Sequence, residues 1–155
     1  PQEMFEVWGE SAEGKLKPFR FLEEPTSEDI EAELGDEWTR RQKFSGDGVE
    51  PPKFVIAVPA YSYESGKIAI LQLSHKTLIR ELDSISQEED YKDLCAWDFS
   101  IGREGSGLNT EYTLRPLPPK VDRAEIASLY KKSLNGGFDI TALIRGDNPF
   151  PSSEK

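Results

Sequence analysis

Between Lys53 and Lys120 the chain alternates apolar and polar positions, changes period, and alternates again. Phe54 to Ala60 and Lys67 to Leu73 are rich in β-branched and aliphatic residues, and the YSYESG between them is polar, aromatic and glycine-containing, so two antiparallel strands joined by a hairpin are expected. In SHKTLIRELDSI the period lengthens: Leu78, Ile79, Leu82 and Ile85 fall at helical spacing, and Ser74 stands where an N-cap would. A helix from Ser74 to about Ile85 follows. WDFSIGREGSGLNTEYTLRPLPPK then alternates once more, placing Trp97, Phe99 and Ile101 on one side, with Tyr112 and Leu114 opposite them across a glycine-rich turn. The stronger reading puts those three apolar residues in the core and Asp98, Ser100 and Gly102 on the outer side.

The flanks carry weaker patterns. The first sixteen residues mix Gly, Glu and Ser with Trp8 without a sustained period and read as an irregular or mobile arm. KPFRFL reads as a short strand. In PTSEDIEAELGDEW, Thr26 or Ser27 can cap, acids load the first turn, Ile30 and Leu34 are one turn apart, and Gly35 stops a short acidic helix. TRRQKFSGDGVEPP is basic and then rich in glycine and proline, as a first barrel strand with a loop or as a connector. Beyond Lys120, Ile126, Leu129, Tyr130 and Leu134 share a helical face between the cap candidate Asp122 and the stop Asn135-Gly136, and FDITALIRGDNPF adds a second short apolar helix or strand. The expected organisation is an acidic N-terminal segment over 1–37, a core over 38–120 and a C-terminal helical segment over 121–155 packed on that core.

Strand, strand, helix, strand, strand suits an OB-like, five-stranded, partly open barrel in a mainly β chain with flanking helices, and it suits a plain α+β sheet equally. Within it, Asp98, Ile101, Arg103, Gly105, Gly107, Thr110, Tyr112, Leu114, Pro116 and Pro118 form the pattern D-x-x-I-x-R-x-G-x-G-x-x-T-x-Y-x-L-x-P-x-P. From about Trp38 to Lys120 the chain resembles the single-stranded DNA-binding proteins of tailed phages in their OB-fold core. The resemblance implies the barrel, a non-catalytic role in phage DNA replication or recombination, single-stranded DNA as ligand, and replication or recombination proteins as further partners. Some members of that family hold zinc in a Cys/His cluster; with one Cys and one His, this chain lacks that set. Related phage proteins carry acidic tails, usually C-terminal, whereas the acidity here is N-terminal and the end PSSEK is not acidic.

Charge changes the picture only in part. With 29 acids and 19 bases among 155 residues the net charge is −10, which on its face argues against nucleic acid. Residues 1–37, however, hold twelve of the acids and three of the bases, so the remaining body is close to neutral. At 36% hydrophobic residues a chain of this length supports one modest core. A single Cys95 excludes an intramolecular disulfide, and beside Trp97 it reads as a buried thiol. No apolar run is long enough to span a bilayer and no signal peptide is evident, so no membrane association is expected, and a cytoplasmic protein, of an infected host cell if viral, fits.

No catalytic set, cofactor motif or metal-ligand spacing stands out. His75 is alone at a helix start, the glycines of GREGSGLN suit a hairpin turn better than a phosphate cradle, and Glu88, Glu89, Asp90 and Asp93 suit a solvated face better than a cation site. A single-strand binder needs positive charge for the backbone and aromatic faces for unpaired bases. The candidates are Trp38 and Phe44 flanking Arg40, Arg41 and Lys43, the hairpin residues Tyr61 and Tyr63, and the cations Lys53, Arg103 and Arg115. For the aromatics, stacking on bases and packing on the protein are both open. The function expected is sequence-nonspecific single-stranded DNA binding; the alternative is an acidic protein-interaction adaptor without nucleic-acid affinity.

Overall fold

The computed structural model describes residues 1–43 and 45–150. The chain is mainly β with several helices, and its larger sheet is a curled half-barrel of antiparallel strands, consistent with an OB-like α+β fold. That sheet has five strands: β1 (Gln2–Ser11), β2 (Leu16–Phe21), β3 (Trp38–Arg40), β4 (Lys53–Ser62) and β5 (Lys67–Leu73). β1 is at its centre. One of its edges pairs with β2, and the other pairs first with β4 through Gln2–Glu6 and then with β3 through Gly9–Ser11. β4 and β5 pair directly, from Ile56 opposite Leu73 to Ser62 opposite Lys67, as the hairpin pattern predicts.

The irregular arm expected over the first sixteen residues is therefore a ten-residue strand, and the sheet draws strands from both sides of the boundary expected at residue 37. The alternation of β1 is obscured by a glutamate and a glycine at positions that turn inward. Met4 packs with Val55, Ala57 and Leu143 on one face, and Glu6, on that same side, is also buried. Val7 packs with Ile30 and Leu34 on the opposite face. Gly9 is on Val7's side, where an added Cβ would lie 2.8 Å from the Phe19 ring and 2.9 Å from Leu34, so only glycine lets helix α1 (Ser27–Leu34) come this close to the sheet.

α1 follows its local signals. Thr26 caps it, accepting from the Asp29 amide while Asp29 accepts from the Thr26 amide, and Gly35 ends it at φ +61°. Thr26→Ala is expected to lower stability by about 1 kcal/mol in urea denaturation, because the cap is lost while Ile30 and Leu34 remain buried.

Helix α2 (Lys76–Gln87) follows β5; its N-cap residue is His75, without a side-chain cap, rather than Ser74. β6 (Asp98–Glu104) and β7 (Glu111–Leu117) form a separate two-stranded sheet, not strands of the half-barrel. Their register has Ile101 opposite Leu114, as expected, whereas Tyr112 lies opposite Arg103 rather than an apolar residue, and their turn needs Gly105 (φ +83°), where a Cβ would run into the Asn109 carbonyl. The core assignment of this hairpin is corrected: Trp97 and Phe99 are half-buried, Ile101 is 41% exposed, and the buried residue is Asp98. The cause is that the hydrophobic centre lies on the half-barrel, so the apolar stripe of the hairpin caps a small satellite and Trp97 packs on Tyr91 at 4.8 Å. Cys95 is exposed, not buried, on the short 3-10 turn Leu94–Ala96.

Helix α3 (Arg123–Asn135) starts at Asp122, which accepts from the Ala124 amide, and stops at Gly136. The 3-10 turn Ile140–Arg145 then lays Leu143, Ile140 and Ile144 against the Met4 face of the sheet.

Candidate nucleic-acid interface

The pleat of β3 divides the basic, aromatic stretch that begins at Trp38. Trp38 and Arg40 lie opposite Ser11 and Gly9, on the α1 side. The Trp38 ring meets Phe19 edge-on at 5.9 Å, and Lys17 Nζ sits 5.0 Å from the Phe19 ring centre and 5.8 Å from that of Trp38. Arg40 donates from Nη2 to the Glu50 carbonyl at 2.8 Å, and its buried Nε has no partner among the described residues. Arg41 turns to the other side: it forks onto the Glu50 carboxylate at 2.7 and 3.0 Å and lies 5.3 Å from the Trp8 ring centre. Two of the three cations of this stretch are thus engaged by Glu50. Lys43 is exposed, and Phe44 lies outside the described residues.

Tyr61 and Tyr63 stand at the end of the β4–β5 hairpin, ring edge against ring face at 5.3 Å. Lys53 is exposed at the start of β4. Arg103 and Arg115 are exposed on the β6–β7 hairpin, but they project from opposite faces, since Arg103 pairs with Tyr112 and Arg115 with Ser100. α2 lies against β7, with His75 stacked on Tyr112 at 4.1 Å and Glu81 accepting from the Leu114 amide at 2.6 Å. The candidates therefore fall on β3 and its loop, on the β4–β5 hairpin and on the β6–β7 hairpin. Among the described residues no hydrogen bond, ion pair or ring contact joins a candidate of one group to a candidate of another.

A feature that periodicity does not reveal crosses the half-barrel. Phe21, Phe5 and Phe54 stand directly opposite one another on the adjacent strands β2, β1 and β4, and so form one row on the face that also carries Phe19, Trp38 and Lys17. Phe5 and Phe54 are 5.5 Å apart and tilted by 58°, and Phe54 is 36% exposed. Nothing local marks these phenylalanines, because only the pairing register brings residues 5, 21 and 54 together.

Asp98 is the centre of the most connected polar cluster. Its carboxylate accepts from the Tyr63 hydroxyl and from Arg123 Nη2, both at 2.7 Å, and from the Lys120 amide at 3.1 Å, while Lys120 Nζ lies 5.8 Å from the Tyr63 ring centre. Burial alone would push the Asp98 carboxyl up, but the hydrogen bonds from Tyr63, Arg123 and Lys120 outweigh it and hold it below the ordinary aspartate range. The same arrangement raises the Tyr63 hydroxyl, through burial and then its bond to Asp98, and raises Arg123 through its bond to Asp98. Tyr63 is thus a latch between the β4–β5 hairpin, β6 and α3, although the residue remains 47% exposed.

Among the described residues no three His, Cys, Asp or Glu side chains converge as a metal site, and no helix is long and apolar enough to cross a membrane. Comparison with protein-family models, with curated proteins and with solved structures finds no match for this chain.

Proposed function

We propose that the protein binds single-stranded DNA without catalysis and without sequence preference, laying unpaired bases along the α1-side face of the half-barrel. The observation that carries this reading is Phe54, exposed at the end of the row Phe21–Phe5–Phe54, beside a face where Phe19, Phe21 and Trp38 pack half-buried against Val7, Ile30 and Leu34 and Lys17 lies over the Phe19 and Trp38 rings. Aromatic faces on an OB-like sheet accept any base, because every base has a π-face, and a neighbouring ammonium serves the phosphates. Of the candidates named from the sequence, Trp38 and Arg40 belong to this face, while Tyr61, Tyr63, Arg103 and Arg115 would serve as flanking contacts. The resemblance to tailed-phage proteins supplies the setting, phage DNA replication or recombination in the cytoplasm of a host, with replication or recombination proteins as partners.

A second reading, an acidic protein-interaction adaptor, is favoured by the engagement of Arg40 and Arg41 with Glu50 and by the net charge of −10. Titration of a fluorescent oligo-dT at two salt concentrations separates the two. Phe54→Ala is expected to weaken binding about tenfold, as loss of one stacked base predicts, and Lys17→Ala to flatten the salt slope by about 0.7, as loss of one phosphate contact predicts. An absence of binding at low salt would leave the adaptor reading in its place.

A further inference from the structure

β2 is an edge strand, and its backbone shows which groups are free. The Ser11 amide donates to the Lys15 carbonyl at 2.9 Å, so on this strand Lys17, Phe19 and Phe21 point their backbone groups at β1. Leu16, Pro18, Arg20 and Leu22, the last just beyond the strand, point theirs away from the sheet. The Trp8 carbonyl, which accepts from the Arg41 amide on the opposite edge of β1, confirms this phase. Proline stands at one of the outward positions, where the missing N–H costs no ladder bond within the sheet. The same edge carries the two most exposed large hydrophobic residues among the described residues, Leu22 at 66% and Leu16 at 51%.

We propose that β2 pairs antiparallel with β2 of a second copy of this chain, across a two-fold axis at Phe19. This register sets Leu16 against Leu22 of the second copy, Lys15 against its Glu23, and Lys17 against its Phe21. Each Leu16–Leu22 pair exchanges two backbone bonds, and each Arg20 amide donates to the Pro18 carbonyl across the axis. The Arg20 carbonyl stays with water, because Pro18 has no N–H to offer. The chain chooses this register by charge and shape. Moving the axis one residue toward the C-terminus sets Arg20 against Arg20, a like-charge pair, and moving it the other way sets Pro18 against Pro18, which makes no bond. The sequence GKLKPFRFLEE is in this sense complementary to its own reverse: lysines before the axis, glutamates after it, leucines equidistant from it. Such isologous pairing joins two half-barrels edge to edge and covers an open strand that would otherwise template aggregation.

The test uses the full chain in sedimentation equilibrium from micromolar to millimolar concentration, together with amide exchange. A monomer–dimer equilibrium is expected, with the Leu16, Arg20 and Leu22 amides slowing as concentration rises and those of Phe19 and Phe21 protected throughout. Lys15→Glu and Glu23→Lys, both at exposed positions, should each weaken the dimer about tenfold, since each converts two attractive pairs to repulsive ones. The double variant restores the pairs with their signs exchanged and should recover the dimer. A chain that stays monomeric throughout, a dimer indifferent to either single reversal, or a double variant no better than the singles would overturn the proposal.

Discussion

Arg20→Met is expected to destabilise the protein by about 3–5 kcal/mol, a fall in melting temperature of about 10 °C for a chain of this size. Arg20 Nε meets Glu6 Oε2 at 3.1 Å, with the two side chains only 13% and 8% exposed, and Nη1 donates to the Leu143 carbonyl at 3.2 Å. Methionine keeps the volume but leaves a carboxylate facing the Met4 side of the sheet and a carbonyl of the C-terminal turn without its donor. Most of the cost comes from the stranded charge rather than from the lost attraction. Arg20→Met/Glu6→Leu should therefore recover most of the stability, and a double variant as unstable as the single would show that the fold depends on the pair itself. Thermal and urea unfolding of the four proteins of the cycle measure the difference.

Asp98→Ala is expected to cost about 2–3 kcal/mol at neutral pH, because three donors lose a charged acceptor at once and the Arg123 Nε already lacks one. The pH dependence has a definite sign. The folded-state pKa of Asp98 is depressed, so its contribution is complete above the unfolded value of about 3.9 and is lost as pH falls through the lower, folded value. Asp98→Asn should accordingly lose stability near neutrality but show a shallower acid limb, taking up about one proton fewer on unfolding below about pH 4. A variant whose acid limb is as steep as that of the parent would mean that Asp98 does not carry this titration.

Signals confined to a few residues were legible in the chain. Thr26, Asp29 and Gly35 delimit α1, Asp122 and Gly136 delimit α3, and the β4–β5 hairpin announces itself by β-branched runs around a glycine turn. What the sequence hid depends on partners far along the chain. β1 reads as irregular because Glu6 is inward, and Glu6 is tolerable there only because Arg20 faces it from β2. Asp98 reads as an outward residue because its donors, Tyr63, Lys120 and Arg123, come from three other segments. The candidate interface divides in the same way: the basic, aromatic composition around Trp38 was visible, whereas its division between two faces, the capture of Arg40 and Arg41 by Glu50, and the phenylalanine row follow from register alone.

The central place of β1 also bears on the order in which the protein can fold during synthesis. β1 leaves the ribosome before the other strands of the half-barrel, and β2 can close on it at once as a local hairpin. Its other edge must wait for Lys53–Ala57, so the segment with Met4 is half-paired while α1, β3 and the glycine-rich loop are still being made. During that interval the nascent chain presents an open, apolar edge whose native partner does not yet exist, and the closing of a long loop limits how fast it is covered. Slowing translation between Trp38 and Lys53 should therefore lengthen the exposure of the strand on which the whole half-barrel is built.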